Sequence, residues 1–109
     1  FLNAKSDLTT TNLTTVYTVP SATTAVVKSI LVSEDAGSGT TIDVTLVDAS
    51  GTIFSLFKAK AVGSNTTVEL LTQPLVLKES EALKAQAAQA NELHVVASIL
   101  EVKPREVVT

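Results

Sequence analysis

Side chains able to do chemistry are few in this chain, and the first to weigh is its single histidine, His94, between Leu93 and Val95. A hydrolytic triad would set it beside an activated serine and a carboxylate, but no G-x-S-x-G elbow or comparable motif is present. A metal site built on histidine usually needs more than one imidazole or thiolate, and the sequence contains no cysteine, which also removes thiol nucleophiles and disulfides. A strand histidine at a surface or interface is the reading that remains.

Carboxylates form the second group. Glu34 and Asp35 open a glycine-containing loop, and Asp43 and Asp48 flank the end of an alternating segment, so an oxygen-rich Ca²⁺ site is one arrangement to test. The D-x-D-x-D-G spacing that would specify one is absent, which favours solvated loop acids. The stretch 35–41 carries a G-x-G fragment without a third glycine or a lysine at P-loop spacing, and reads as a loop. Tyr17, Phe1, Phe54 and Phe57 are the only aromatics, too few for a stacking platform, and Tyr17 suits a sandwich core. Asn12 and Asn65 begin N-x-T triplets, but with Ser and Thr at 26 of 109 residues such matches arise by chance. No side chain is therefore assigned a catalytic, cofactor-binding or metal-binding role, and the chain does not read as an enzyme.

The elements that would position these residues are strands. Sixteen Thr, fifteen Val and four Ile make nearly a third of the 109 residues β-branched, the class that packs best on a pleated sheet. Turn signals recur every eight to twelve residues, at 20–21, 35–39, 48–51, 63–65, 73–74 and 90–91, and delimit eight candidate strands: 12–19, 24–33, 40–48, 52–60, 65–72, 75–78, 81–88 and 92–102. An all-β, jelly-roll-like antiparallel sandwich follows, one domain over 12–102, with a polar arm at 1–11 and a tail at 103–109. In 41–46, Ile42, Val44 and Leu46 alternate with Thr41, Asp43 and Thr45, and the turn at 48–51 predicts a hairpin with 52–60. Segments 24–33 and 92–102 are apolar on both faces, and the second face predicts a cover such as a neighbouring subunit.

Residues 78–93 are ambiguous. Their Ala, Glu, Lys, Gln and Leu favour a helix capped by Ser80, while Leu83, Ala85 and Ala87 inward with Lys84 and Gln86 outward make an equally good strand. A sandwich lacking strand 81–88 would leave a neighbour's backbone unpaired, and on that ground the strand is predicted. The formal charge of −3, with no basic cluster denser than Lys58-Ala59-Lys60, argues against nucleic acid as a partner. No apolar run approaches the roughly 20 residues of a membrane span, and no retained signal peptide is read at the start.

Residues 15–20 (Thr-Val-Tyr-Thr-Val-Pro), 24–30, 68–77 and 93–101 together resemble the small virion proteins of tailed bacteriophages and cyanophages, over roughly 12–102. In that family the segment matching 81–88 is a strand entered through a Gly-Asp turn, for which this chain has Glu79-Ser80-Glu81. The resemblance implies a non-enzymatic virion protein, a capsid decoration (cement) subunit or a tail or fibre subunit. It implies a symmetric homo-oligomer, most often a trimer, in contact with the major capsid protein or other virion proteins. A carbohydrate-binding sandwich for host attachment is the alternative from another class, disfavoured by the scarcity of aromatics.

Overall fold

The computed structural model describes residues 1–103, and within them the chain forms nine strands and no helix: β1 (Leu2–Leu8), β2 (Thr14–Thr18), β3 (Thr24–Glu34), β4 (Thr40–Val47), β5 (Ile53–Val62), β6 (Thr67–Glu69), β7 (Leu75–Leu77), β8 (Ala82–Ala87) and β9 (Leu93–Val102). One sheet has the order β1-β9-β3-β6, with β7 also on β3, and the other the order β2-β8-β4-β5. All pairings are antiparallel.

This order has a simple origin. Strands β4 and β5 meet at the turn Asp48–Gly51, and outward from it β3 pairs with β6 and β7, β2 with β8, and β1 with β9, so the chain is one long hairpin. Rolling that hairpin up adds the β9–β3 and β8–β4 ladders and closes a jelly roll. Between the sheets lies a core of Leu8, Val27, Ile30, Val32, Ile42, Val44, Leu77, Leu83, Leu93, Val95 and Ile99, with the small residues Ala25, Ala85 and Ala97 buried among them.

The hairpin tip is built as its sequence demands. Asp48 accepts hydrogen bonds from the Ser50 and Thr52 backbone N–H groups at 3.0 and 2.9 Å. Gly51, at φ 89°, takes the left-handed conformation that a side chain would strain.

Three sequence expectations change. Residues 1–11 are not an arm: residues 2–8 pair in full register with β9, from Leu2 opposite Ile99 to Leu8 opposite Leu93. Their alternation, with Leu8 fully buried and Asn3, Lys5 and Asp7 exposed, is that of an edge strand guarded by polar side chains. The tail assigned to 103–109 lies, beyond Lys103, outside the described residues. Strand count rises from eight to nine because β1 is added, while 65–72 and 75–78 shorten to β6 and β7, two halves of one broken edge.

The third change concerns β3. Its alternation does not run straight through: Val27 pairs with Ile99 but Ser29 with Ser98, so Lys28 is an extra, bulged residue. The bulge flips parity, and Ala25, Val27, Ile30 and Val32 all face the core. Both faces of 24–33 looked apolar because the bulge was not read. The true outer face keeps only Val26 and Leu31 among its large apolar residues.

Segment 82–87 is a strand despite its helical composition. β8 lies between β2 and β4, both ladders satisfy its backbone, and Leu83, Ala85 and Ala87 point inward as the alternating reading required. The entry turn replaces Gly by strain and a side chain: Ser80 sits at φ 68°, and the Glu81 carboxylate accepts from the Lys78 backbone N–H at 2.7 Å.

If β1 belongs to the domain, Leu8→Ala should lower unfolding free energy by about 2–4 kcal/mol, the usual cost of truncating a buried leucine. Urea denaturation measures it, and a change below about 1 kcal/mol, the range of surface substitutions, would contradict the placement of β1.

Candidate functional site

Three of the four acids singled out from the sequence, Glu34, Asp43 and Asp48, are drawn into backbone support. Glu34 ends β3 pointing inward and is buried, with 2% of its surface exposed. Its carboxylate accepts from the backbone N–H groups of Gly37 (3.0 Å), Ser38 (3.2 Å), Gly39 (3.2 Å) and Asn65 (3.0 Å). One side chain thus holds the β3–β4 loop against the β5–β6 turn. The Asn65 N–H, and then those of the glycine loop, outweigh the opposing effect of burial and hold the carboxyl below its ordinary range.

Glu69 performs the same service at the β3 bulge. Five residues, 70–74, lie opposite the three of 28–30, and Pro74 cannot donate to a ladder, so β6 and β7 part there. The Glu69 carboxylate enters the gap, accepting from the Ser29 hydroxyl, from the Ile30 N–H at 2.8 Å and from the Leu71 N–H at 3.3 Å. Burial works to raise its pKa, but these hydrogen bonds prevail and lower it. Asp48 is likewise lowered, first by the Ser50 hydroxyl and then by the turn's N–H groups. Asp43 accepts from the Ala59 N–H at 2.6 Å and faces Lys58 at 3.8 Å.

The four candidate calcium ligands are therefore not convergent. Among the described residues no group of three or more His, Cys, Asp or Glu side chains is placed to hold a metal ion.

His94 projects from the outer face of β9, half exposed. Its Nε2 lies 3.2 Å from Asp7 of β1 and its Nδ1 3.6 Å from Asp35 of the β3–β4 loop. Both ring nitrogens thus face carboxylates on opposite edges of the ring. No hydroxyl hydrogen-bonds to it among the described residues, so the arrangement has orienting acids and no nucleophile. What it can do is tie β1 and the loop to β9.

Tyr17 is no platform either: its hydroxyl donates to Glu101 at 2.6 Å, joining β2 of one sheet to β9 of the other. Burial, with the Glu101 carboxylate beside it, pushes the phenol's pKa up.

What the molecule does offer is a surface. Registers place Val76, Val26 and Leu100 in one row across β7, β3 and β9 on the outer face of their sheet, and Leu31 beside Val96 in another. Ser29 and Ser98 separate the rows, and Val102 continues the first along β9 beside Thr24. Val76 is 56% and Val102 50% exposed. The outer face of the second sheet carries Thr15, Asp43, Lys84 and Gln86, with Val47 paired to the exposed Ile53 at the hairpin end of β4 and β5. Sequence reading found the apolar second face of 92–102, while the contribution of β7 required the fold.

No protein-family model matches the chain, and no curated protein does so.

Stability should follow the charge state of Glu34. Its folded pKa lies below the ordinary 4.5, so its contribution is complete above that value and is lost as pH falls through the folded pKa. Glu34→Gln should lower the urea midpoint most at pH 7, and the gap from wild type should close as pH falls through the lowered folded pKa. A gap that does not vary with pH would contradict this role.

Proposed function

We propose that the chain is a non-enzymatic structural subunit of a phage virion, a capsid decoration protein that acts as a homo-oligomer, most simply a trimer. The observation that carries this reading is the pair of apolar rows on the outer face of the β1-β9-β3 sheet. Single exposed valines are ordinary on a protein surface. Adjacent ones in register on three neighbouring strands make a patch of the kind that marks an interaction surface.

The rest of the molecule suits that work. Jelly rolls recur in viral capsids because the rolled hairpin gives a rigid two-layer plate. Its acids brace loops and its one histidine braces a strand, so the described side chains serve shape. A subunit that binds many equivalent positions on a lattice gains avidity from contacts that are individually weak, and the symmetric association inferred from the phage resemblance covers the patch.

The test is co-sedimentation with assembled tailed-phage heads. Wild type should bind saturably at a fixed ratio. Val26→Asp should keep its far-UV circular dichroism and bind about a hundredfold more weakly, as expected for an unpaired carboxylate forced into a contact. Undiminished binding by Val26→Asp would contradict the assigned surface. Binding to tails or to glycans, and not to heads, would replace decoration by a tail, fibre or host-attachment role.

A further inference from the structure

The β8-β4-β5 side of the second sheet holds an open polar pocket of about 360 Å³, lined by Thr41, Asp43, Lys58 and Gln86 with Ala59 and Ala88. A bulge in β5 shapes it. Ile42 pairs with Lys60 and Val44 with Phe57, so Lys58 and Ala59 both lie opposite Asp43. Ala59 takes φ 51°, a left-handed conformation that costs any residue other than glycine, and the Asp43 carboxylate accepts its N–H there. Backbone strain of this kind gathers at binding sites. Alanine at 59 and 88 leaves open the space that longer side chains would fill.

The polar groups around the pocket are held in place and keep capacity for a ligand. The second Asp43 oxygen lies 3.8 Å from the Lys58 ammonium, beyond direct hydrogen-bond length, so acid and base are each open to another partner. Gln86 donates through Nε2 to the Thr11 carbonyl at 2.9 Å, which fixes the amide and leaves Oε1 as an acceptor. Thr41 adds a hydroxyl that both donates and accepts. One carboxylate and one ammonium cancel, which favours a neutral ligand. Acceptors beside a donor in one small hollow match adjacent hydroxyl groups, each of which gives one hydrogen bond and takes another. The volume is at the lower end of the range for ligand pockets, roughly 300–1,000 Å³, and suits a single ring.

We propose that this pocket binds one pyranose ring of a neutral saccharide, with neighbouring hydroxyls bridging Asp43 and Lys58. Hydrogen bonds orient the sugar, in place of the aromatic platform that the sequence lacks. The inference does not rest on the virion reading. The pocket belongs to the sheet opposite the apolar rows, so a subunit docked through those rows keeps it free.

The test is a titration of the isotopically labelled full chain, followed through its amide chemical shifts. The probes are D-glucose, D-galactose, D-mannose and N-acetylglucosamine, with sodium acetate and ammonium chloride as ionic controls. At least one sugar should shift the Ala59, Gln86 and Ala88 amides saturably, with a dissociation constant on the order of a millimolar. Ala88 is exposed and its own N–H bonds to the Thr41 carbonyl, which Ala88→Leu preserves while filling the pocket. Ala88→Leu should weaken binding about tenfold or more with an unchanged far-UV circular dichroism spectrum, and so should Lys58→Met. No saturable shift at these amides with any of the four sugars would overturn the proposal, as would equal binding by Ala88→Leu or stronger binding of acetate or ammonium at the same amides. Neither substitution touches the apolar rows, so head binding is read separately from sugar binding.

Discussion

Strand β3 must keep one face in the core for eleven residues, although its sequence changes phase at Lys28 and Ser29, and the rest of the molecule is arranged around the bulge that allows this. Without the extra residue, Ile30 and Val32 would point to solvent and the core would lose two of its largest side chains. With it, the opposing edge cannot pair continuously, and β6 and β7 become separate strands. Glu69 supplies the acceptors that the broken ladder lacks. The same bulge turns Leu31 outward onto the face that already carries Val26, where the two complete the apolar rows. Core, broken edge and outer surface are consequences of one backbone irregularity.

Carboxylates used as backbone acceptors recur throughout the fold. Glu34 gathers four N–H groups from two loops, Asp48 shapes the hairpin tip, Asp43 holds the bulged region of β5, and Glu81 closes the turn before β8. Acids in these places let a chain with four glycines build turns that elsewhere rely on glycine. They also account for three of the four acidic residues that resembled loose calcium ligands: Glu34, Asp43 and Asp48 are already engaged with backbone, and Asp35 faces His94.

Much of the fold was legible because burial and alternation speak directly. Ile42, Val44 and Leu46 announced a strand with one wet face, and Asp48–Gly51 announced its hairpin. Residues 2–8 were opaque because an edge strand with Asn3, Lys5 and Asp7 on its open face has the polar composition of an arm. The bulge in β3 was opaque for another reason. Its partner, Glu69, lies forty residues away, and no local pattern couples the two. In 82–87 the local signal pointed both ways, and the neighbours on either side decided for the strand. The candidate surface was half legible: β9 showed its second apolar face, but Val76 joins it only when the hairpin rolls.

The β7-β3-β9 face of the plate turns two apolar rows outward in register, and those rows are the basis for reading the molecule as a subunit rather than a solitary domain. Sedimentation equilibrium of the full chain at micromolar concentration tests this most directly. The account predicts a single species near three times the 11.4 kDa of one chain. A well-behaved monomer that stays soluble with its apolar rows uncovered would contradict it.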